Sequence, residues 1–532
     1  MIVDQFTSEE KQILDRYFTN TDLPVFVLVN MPEATKAALF ARYSRTGKSL
    51  RRLFLDEFAD ADGGVGESAA GIGKAEALLG RVLDEYGDDS VAQLGGAHIA
   101  CEGVSNILTK VIERPRLAAY LEQSTRYINF ADKPGGAYRY YLPHSYPLPI
   151  RDGYIEHMDG LFDGYKDLVA DVTEYLNEKH LGDVEEGPDR AATARALRAE
   201  ALDACRGLLP AGTTSNLGMY ATGQTYEALI VRMLASPFTE AQEYGQMMLV
   251  ELRKVIPQFL KRVDLPDRGV RHGQYMTSTK QALAAMADEI TANAVEADQF
   301  NESTPDHYVN LSGWEPEAET LIAAAALYPH STMTLAELKW ALTGNDELTD
   351  RAFESAVGDR SANRRHRPGR AFEYANYEYD IMSDYGAFRD LQRHRTLTID
   401  WQRLTPDLGY TVPDLITEAG VEERFRELMD TTYEAFAQAE AGAPGQGGYV
   451  VPLGFNIRYS IKANARALMH MLELRTTPQA HPSYRRVAQQ MHTAIKRIGH
   501  HRVHAAMSHV QHEDTGLARL ESEKALQTKA AG

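Results

Sequence analysis

The sequence predicts an α/β (α+β) fold built from two homologous halves. The chain has 532 residues, and single domains rarely exceed roughly 250–300 residues, so two domains are expected. Four sequence landmarks also occur in the same order in both halves, which is the signature of an internal duplication. We place copy one at residues 1–270, a helical connector at 271–305, copy two at 306–515 and a tail at 516–532.

Composition and charge narrow the class of protein. With 44% hydrophobic and 25% charged residues, the chain resembles an ordinary globular protein. No apolar run approaches the roughly 20 residues needed to cross a bilayer, and no secretory signal is visible at the amino terminus. The formal charge of -19 argues against binding to nucleic acid or to a membrane surface, and two cysteines fit a reducing compartment. We expect a cytoplasmic protein that binds no nucleic acid and no membrane, although a local arginine cluster can still hold a small anion.

The first landmark is an apolar, strand-like run that leads into a helix. It covers residues 25–43 in copy one and 308–328 in copy two. A proline and a glutamate follow the run in both copies, and both residue types are favourable in the first turn of a helix. Each copy therefore predicts a strand followed by a helix.

The second landmark is an arginine pair at the end of an apolar stripe with helical spacing. Copy one has Arg114 and Arg116, and copy two has Arg393 and Arg395. The preceding stripe consists of Val104, Ile107, Leu108, Val111 and Ile112 in copy one and of Tyr385, Phe388 and Leu391 in copy two. Because this spacing puts the apolar residues on one helix face, both helices should end at an arginine pair.

The last two landmarks are a proline turn and a second helix. The turn covers residues 209–212 in copy one and 451–454 in copy two. The helix covers residues 226–242 and 465–481, and its predicted buried face in copy two is formed by Leu468, Met469 and Leu472. Four matches in one order support the duplication.

The arginine landmark resembles the signature of the flavin-dependent thymidylate synthase family. That signature reads Arg-His-Arg, two residues, Ser, one residue, Asn-Glu, one residue, Ser, one residue, Arg. Copy one matches it at Arg114, Arg116, Glu122, Ser124 and Arg126, and departs from it at Pro115, Ala119 and Leu121. Copy two matches it at Arg393, His394 and Arg395, has Thr398 for the first serine, and departs from it at Asp400, Trp401, Arg403 and Thr405. Each copy keeps the part that the other has lost.

The resemblance covers about residues 25–250 and 305–500, and it carries implications for fold and assembly. Each half should be a mixed or antiparallel sheet packed with helices. In this family the active site lies between subunits of a homotetramer, and different subunits supply the two residue sets. The resemblance therefore implies one composite site per chain, and a homodimer that rebuilds a pseudo-tetramer.

The resemblance also implies a set of residues for each ligand. The nucleotide should contact Glu122, Ser124, Arg126, Arg206, Arg393 and Arg475. Of these, Ser124, Arg126 and Arg475 should also act in catalysis. The flavin should contact Glu373, Arg393, His394, Arg395, Asn464 and His470. The other copy has Gly448 opposite Arg206, Thr225 opposite Asn464, Ser236 opposite Arg475 and Gln93 opposite Glu373. Guanidinium groups suit a nucleoside monophosphate, because their charge-assisted contacts to phosphate are strong.

By resemblance the reaction is the methylation of dUMP to dTMP, with methylenetetrahydrofolate as carbon donor, FAD as redox carrier and NADPH as reductant. This chemistry needs no cysteine nucleophile, and Cys101 and Cys205 lie in no activating motif. Two alternatives stay open. One is a flavin-dependent modification of another pyrimidine nucleotide, such as hydroxymethylation of dCMP. The other is a catalytically silent homologue that binds nucleotide or flavin.

Each candidate residue also has a plain structural explanation. An arginine pair at a helix end can simply complement the helix dipole, and Arg206 or Arg475 can lie along an apolar surface with its charge in water. Asn464 can be an ordinary helix-capping residue. The histidines between His500 and His512 are expected to form an exposed polar face, and no metal site is expected. The basic run at residues 364–367 is either a solvated loop or a contact for the flavin pyrophosphate, and the acidic insertion at 146–195 is expected to face solvent.

Overall fold

The computed structural model describes residues 4–59, 91–126, 128–182, 187–296 and 308–513. The chain divides into two compact units. The first unit contains Met1–Val104, Val111–Gln123 and Asn216–Phe300, and the second contains Ser105–Lys110, Ser124–Ser215 and Asn301–Gly532. These units differ from the two copies, because the second unit combines all of copy two with residues 124–215 of copy one. The boundaries that we drew from the duplication therefore stay a prediction about sequence, and the tail at 516–532 lies outside the described residues.

The first unit is built on a three-stranded sheet. Its strands are β1 (Gly96–Ser105), β2 (Ala118–Glu122) and β3 (Thr214–Thr222), in the order β1-β3-β2. Strand β2 is antiparallel to β3, so that Ala118 faces Ala221 and Glu122 faces Leu217. Only the last residue of β1 and the first two residues of β3 fall in the second unit.

The helix predicted at residues 226–242 is divided into two helices in the first unit, and one predicted strand does not form. The described helices are Ser8–Leu14, Glu33–Tyr43, Leu50–Glu57, Gly223–Leu234, Thr239–Leu252 and Arg271–Glu296. The last of these occupies most of the segment between the two copies. Residues 25–29 form a single bridge, between Phe18 and Leu28, and the Val25 side chain is 79% exposed. The prediction of a strand in copy one was wrong, because within the described ranges this run pairs only through the bridge to Phe18.

The second unit contains a four-stranded antiparallel sheet. Its strands are β4 (Tyr308–Trp314), β5 (Asn376–Asp384), β6 (Thr398–Trp401) and β7 (Asn456–Asn464), in the order β4-β5-β7-β6. The central strands β5 and β7 carry the fully buried aromatic and aliphatic side chains Tyr377, Tyr379, Ile381, Tyr459 and Ile461. The prediction of an α/β fold with antiparallel sheets packed with helices is confirmed.

The helices of the second unit cover this sheet and pack on one another. Those that flank the sheet strands in sequence are Ala318–Leu327, Leu335–Leu342, Asp346–Val357, Tyr385–Gln392, Asp414–Glu418, Glu422–Gly442, Ala465–Arg475, Pro482–Arg497 and His501–Ala506. Copy one contributes Leu148–Leu181 and Pro188–Cys205, and the helix Asn106–Ile112 crosses the boundary between the units. In the described residues no helix combines the length and the apolarity that a membrane span requires.

The acidic insertion of copy one is a packed helix and not a solvated segment. The helix Leu148–Leu181 buries one face, which carries Tyr154, Met158, Leu161, Phe162, Tyr165, Leu168, Val172 and Leu176. This helix packs closely against the helix Glu422–Gly442 at two glycines, one on each helix. A Cβ atom at Gly164 would lie 2.3 Å from Leu428 Cδ1, and a Cβ atom at Gly442 would lie 2.1 Å from Ile150 Cδ1. The expectation that residues 146–195 face solvent was wrong for this face, because its apolar spacing was obscured by the acidic residues between.

The two proline turns pair with each other inside the second unit. An antiparallel bridge joins Pro210 to Pro452. Backbone hydrogen bonds run from Ala211 N to Val451 O (2.8 Å), from Gly212 N to Tyr449 O (2.8 Å), from Leu453 N to Leu209 O (2.9 Å) and from Gly454 N to Gly207 O (2.8 Å). The third landmark of copy one thus contacts the third landmark of copy two, and equivalent residues of both copies come together around this pair of turns.

Candidate functional site

The helix Tyr385–Gln392 carries the second arginine signature to one end of the sheet in the second unit. Asp384 caps its first turn by accepting a hydrogen bond of 2.8 Å from the backbone N–H of Ala387. Its apolar stripe is buried, as the spacing predicted, and Arg393 occupies the C-cap position. The first of the paired arginines therefore leaves the helix at its carboxyl end.

Asp390, in the last turn of this helix, lies among the arginines predicted to bind the nucleotide. Its carboxylate is 3.6 Å from Arg206, 3.7 Å from Arg393 and 3.7 Å from Arg475. Burial by itself raises the pKa of Asp390, but Arg393, Arg206, Arg475 and Arg126 together hold this pKa below its usual range. Four arginines from both copies thus surround one ionised carboxylate. We call Arg126, Arg206, Arg393 and Arg475 the arginine cluster.

Arg126 is held by residues of both copies. It donates from Nε (2.9 Å) and Nη2 (2.6 Å) to the carboxylate of Asp203, from Nη1 to the hydroxyl of Tyr484 (3.0 Å), and from Nη2 to the carbonyl oxygen of Gln479 (3.1 Å). Burial lowers the pKa of Arg126, yet the Asp203 hydrogen bonds outweigh this and raise it above its usual value. The hydroxyl oxygen of Ser124 accepts from the backbone N–H of Arg126 at 3.1 Å.

Arg206 has a buried donor atom that finds no partner among the described residues. Its side chain is only 4% exposed, and Nη2 has no hydrogen-bond partner within the described ranges. An unsatisfied buried donor of a charged group is costly, which favours a ligand that accepts from it. Gly386 makes room for this guanidinium, because a Cβ atom at that position would lie 3.3 Å from Nη2.

Arg126 and Arg206 line a cavity of about 630 Å³ in the second unit. This volume falls within the roughly 300–1,000 Å³ of small-molecule sites. The other charged residues of its wall are Lys179, Glu200, Asp203, Asp384, Asp414, Glu418, Arg485 and Arg486. Several of these form pairs, including Lys179 with Glu418 (3.0 Å) and Arg486 with Asp414 (3.4 Å). Arg393 and Arg475 belong to the cluster through Asp390 and do not line this cavity.

Two further titratable groups lie in the wall, the buried Asp384 and the half-buried His481. Burial raises the pKa of Asp384 to about 6, although nearby Arg206 opposes this shift. Asp384 also accepts a hydrogen bond from the hydroxyl of Ser483. Burial, reinforced by Arg206, lowers the pKa of His481 to about 3. His481 is therefore neutral, and it donates from Nε2 to the backbone oxygen of Asp203 (3.2 Å) while Nδ1 accepts from Ser483 N (3.2 Å).

The residues predicted for the flavin lie on the copy-two side of the same unit. His394 accepts a hydrogen bond of 2.9 Å at Nε2 from Nε of Arg475, and burial together with Arg475 lowers its pKa well below the usual value. Its ring is 5.8 Å from that of His470, whose Nδ1 lies 3.3 Å from Nη2 of Arg367. His394 is thus a neutral acceptor that orients Arg475.

Three other predicted flavin contacts take different positions. Arg395 is exposed. Glu373 is ion-paired with Arg370 (3.0 Å) and Arg466 (3.2 Å). Asn464 caps the helix Ala465–Arg475, because its side-chain oxygen accepts a hydrogen bond of 2.9 Å from Ala467 N. It is thus a helix-capping residue, and its NH₂ group is a donor that this cap does not use.

The paired proline turns show how the residues that follow Pro210 in copy one align with those that follow Pro452 in copy two. Strands β3 and β7 both have nine residues and start four residues after the aligned prolines. Thr222 caps the helix Gly223–Leu234 as Asn464 caps its counterpart. The equivalents of Asn464 and Arg475 are therefore Thr222 and Met233, and the predicted equivalents, Thr225 and Ser236, were three residues too late.

Glu122 belongs to the first unit, where it ends β2. Arg114 and Arg116 are also in that unit and are exposed. The structure therefore brings together Arg126, Arg206, Arg393 and Arg475 within one compact unit, with Ser124 beside Arg126. The roles of all these residues in binding and catalysis stay predictions.

The sequence prediction missed Asp203, Asp390, His481 and Tyr484. Asp390 precedes Arg393 by three residues on one helix, a spacing that signals an ion pair. Asp203 carries no comparable signal, because its partner Arg126 is distant in sequence. Trp401, one of the departures from the signature, packs its ring 5.2 Å from that of Phe388 and so supports the sheet.

Of the carboxyl-terminal histidines, His501 and His512 are exposed as predicted, whereas His504 and His509 are half-buried and His500 is buried. His500 is 5% exposed, and its Nδ1 lies 2.9 Å from the hydroxyl of Tyr377. His492 contacts both His504, with the two rings stacked at 3.9 Å, and His512, with a distance of 2.9 Å between Nδ1 and Nε2. Among the described residues, no group of three or more His, Cys, Asp or Glu side chains is arranged to hold a metal ion. The expectation of an exposed polar face was wrong for His500, because it packs behind β5.

Comparison with known proteins agrees with the duplicated arrangement. The family described as thymidylate synthase complementing protein matches the chain twice, at residues 27–258 and 310–499. A UPF0159 protein of Chlamydia muridarum is 37% identical over 527 residues, which cover 97% of this chain and 98% of the relative. A UPF0159 protein of Thermoplasma acidophilum is 28% identical over 529 residues, which cover 93% of this chain and 99% of the relative.

Solved structures resemble one portion of the chain. A UMP/dUMP methylase of Streptomyces cacaoi bound with 5-Br dUMP is 22% identical, covers 38% of this chain and 94% of its own, and has a TM-score of 0.31. A flavin-dependent thymidylate synthase of Helicobacter pylori complexed with FAD and dUMP is 17% identical, covers 35% of this chain and 92% of its own, and has a TM-score of 0.26. The two family matches together span most of the 532 residues. The chain therefore belongs to the thymidylate synthase complementing protein family, the flavin-dependent thymidylate synthases, and carries two copies of that family's sequence.

Proposed function

We propose that this protein is an FAD-dependent enzyme that methylates dUMP to dTMP. In this proposal methylenetetrahydrofolate donates the carbon, NADPH is the reductant, and each chain has one composite site. Two chains form a homodimer that rebuilds the four-copy assembly. Family membership supports the class of reaction, and the arginine cluster supports the position of the site.

The observation that carries the proposal is the convergence of four arginines from the two copies on Asp390. Arg126 and Arg206 come from copy one, and Arg393 and Arg475 come from copy two. A phosphate group suits such a cluster, because guanidinium groups donate in forked geometry to its oxygens. Arg206 has a buried Nη2 without a hydrogen-bond partner in the described chain, so we assign it the first contact to the phosphate.

The residues on the copy-two side fit an anionic flavin nucleotide. Arg393, Arg395 and the basic run at 364–367 supply positive charge, and the half-buried His470 lies near Arg364 and Arg367, which together with burial lower its pKa. The NH₂ group of Asn464 adds a neutral donor for a carbonyl of the flavin ring. Glu373 has a less direct part, because its carboxylate is already paired with Arg370 and Arg466; we propose that it positions Arg466.

The flavin supplies the redox chemistry when bound, so the residues of this chain need only bind, orient and polarise the nucleotide. His394 fixes Nε of Arg475, which directs the rest of that guanidinium toward Asp390 and the cluster. Charge developing on a pyrimidine carbonyl would be stabilised by Arg475, and Arg126 and Ser124 would orient the ligand from the copy-one side. No thiol is required. Burial raises the pKa of Cys101 to about 11 and keeps that of Cys205 above its usual range, so both cysteines are poor nucleophiles.

The direct test uses the purified full chain. We expect a flavin absorbance band in the protein or after reconstitution with FAD, one dUMP bound per chain by titration calorimetry, and dTMP when methylenetetrahydrofolate and NADPH are added. Light scattering should give a dimer. Two dUMP molecules per chain would contradict the single composite site.

The choice of pyrimidine is tested with the same protein. Parallel titrations and reactions with UMP and dCMP identify a different substrate if either outperforms dUMP. Protein that binds a nucleotide but cannot be reconstituted with FAD would overturn the catalytic proposal and favour a silent homologue. Complementation of a thymidine auxotroph separates dTMP synthesis from the modification of another nucleotide.

A further inference from the structure

The net charge of the arginine cluster and its carboxylates indicates which substrates the site accepts. This inference rests on the proposed function. We infer that Asp390 is a specificity-determining residue that restricts the cluster to ligands with a single phosphate group, so that a nucleoside monophosphate is preferred over a diphosphate or triphosphate. Neither the signature match nor the family comparison assigns a role to Asp390.

Asp390 lies near three arginines of the cluster at distances longer than a hydrogen bond. Its carboxylate oxygens lie 3.6–3.7 Å from Arg206, Arg393 and Arg475. These separations exceed the usual N–H···O distance of about 2.7–3.2 Å. Nη2 of Arg206, which has no partner among the described residues, is therefore able to donate to a ligand. The Asp390 side chain is 11% exposed, which keeps its charge poorly screened by water.

The ionised groups nearby can be counted from the geometry. Among the residues that the structure describes, three carboxyl groups lie against the four guanidinium groups: Asp203, which pairs with Arg126, Asp390, and Asp384, which lies beside Arg206. His394 and His481 are neutral. The group therefore carries between one and two net positive charges, depending on whether Asp384 is protonated. A phosphate monoester carries about 1.5–2 negative charges near pH 7, which matches this balance.

A second phosphate group would bring more negative charge than the net positive charge of the cluster and its carboxylates can neutralise. Its added negative charge meets Asp390 and Asp203, which cannot leave because both are buried and ion-paired. Repulsion between poorly solvated charges separated by several ångströms weakens binding by roughly tenfold or more for each added charge. Without Asp390, the cluster would have one more positive charge and would accept the longer anion more readily.

A purely structural role for Asp390 makes a different prediction. If the carboxylate only held the arginines in place, its removal would weaken the binding of every anion to a similar extent. If it sets the accepted charge, its removal shifts the ratio of affinities between ligands with one and with two phosphate groups. The ratio, and not the affinity itself, separates these roles.

The experiment measures the affinity of the full-length protein for dUMP, dUDP, inorganic phosphate and pyrophosphate by titration calorimetry at one pH and one ionic strength. We expect wild type to prefer dUMP over dUDP by at least tenfold, and Asp390→Asn to shift this ratio about tenfold toward dUDP. Asp390→Glu keeps the charge and should keep the wild-type ratio. Asp407→Asn removes an exposed carboxylate outside the cluster and serves as the control.

The outcomes distinguish this inference from the proposed function. Wild type that binds dUDP as tightly as dUMP overturns the inference, even if Asp390→Asn does not fold. A folded Asp390→Asn variant with an unchanged ratio overturns it as well. If no nucleotide binds to wild type, the proposed function fails, and the ratio of phosphate to pyrophosphate affinity still decides whether Asp390 sets the charge of the accepted anion.

Discussion

Arg126 donates a hydrogen bond of 3.0 Å from Nη1 to the hydroxyl of Tyr484, which joins the signature of copy one to a buried helix of copy two. The Tyr484 ring also lies 5.4 Å from the guanidinium carbon of Arg475 and 5.9 Å from that of Arg126. One aromatic side chain therefore contacts two arginines from different copies. Their relative position depends on packing in the second unit and not on either signature alone.

Removal of an arginine of the cluster should abolish nucleotide binding. Removal of Arg114, which belongs to the signature of copy one but lies in the first unit, should not. We expect Arg126→Ala and Arg393→Ala each to eliminate measurable dUMP binding by calorimetry, because each deletes a charge of the composite site. Arg114→Ala should weaken binding much less, since copy one has lost the histidine that follows Arg114 in the signature. Equal losses in all three variants would contradict the single-site arrangement.

The Tyr484 hydroxyl should matter for ligand affinity more than for turnover. Tyr484→Phe keeps the ring beneath Arg475 but removes the acceptor for Arg126, and a net hydrogen bond contributes about 0.5–1.5 kcal/mol. We expect KM for dUMP to rise roughly threefold to tenfold, with kcat changed less than twofold. Tyr328→Phe, at a half-exposed position, provides the control. A fall in kcat with an unchanged KM would assign Tyr484 a different role.

Asp203 should be important for folding as well as for the site. Its pair with Arg126 is largely buried, at 10% and 13% side-chain exposure. Loss of one member of a buried pair leaves the other charge uncompensated, which typically costs about 3–5 kcal/mol. We expect Asp203→Asn to lower the denaturant midpoint of unfolding clearly, as followed by tryptophan fluorescence and circular dichroism. A midpoint within error of wild type would show that Arg126 finds another acceptor.

The paired proline turns should not tolerate a side chain at Gly212. A Cβ atom there would lie 2.9 Å from the backbone oxygen of Tyr449 and 2.9 Å from Met158 Cε. Overpacking of this kind costs about 1–3 kcal/mol, so Gly212→Ala should lower the thermal midpoint by several degrees. Gly369→Ala is the matched control, because Gly369 is exposed and a Cβ atom there would meet nothing within 4 Å. Equal midpoints for the two variants would argue against close pairing of the turns.

The buried Asp384 should make stability depend on pH in a defined direction. Burial raises the pKa of Asp384 to about 6, above its ordinary value of 3.8. The folded chain therefore binds this proton more readily than the unfolded chain, and this group adds stability as the pH falls from about 6 toward 4. Asp384→Asn keeps an acceptor for the helix cap but removes the titration.

We expect wild type to gain about 2 kcal/mol relative to Asp384→Asn between pH 7 and pH 4.5. Other carboxyl groups titrate in both proteins, so their contributions cancel in the difference. The measurement is the urea midpoint of both proteins across this range. A difference that stays constant, or one that changes in the opposite direction, would show that Asp384 is ionised throughout.

The order of the landmarks predicted much of the fold because hydrophobic spacing is a local property. The buried stripe of Tyr385, Phe388 and Leu391 follows directly from helical periodicity, and the helix ends at Arg393 as expected. The same local argument failed for residues 25–29, where a strand needs a partner that spacing cannot supply. It also failed for the helix Leu148–Leu181, whose buried face depends on the helix that it meets.

The sequence by itself determined that two diverged copies share one chain and that Arg126, Arg206, Arg393 and Arg475 are the residues to examine together. Only the tertiary structure decided that these four surround Asp390, that Arg126 is held by Asp203 and Tyr484, and that Thr222 and not Thr225 is the equivalent of Asn464. The reason is physical. Residue type and spacing fix which groups can carry charge or begin a helix, whereas the pairing of the Pro210 and Pro452 turns sets which distant groups share a low-dielectric environment.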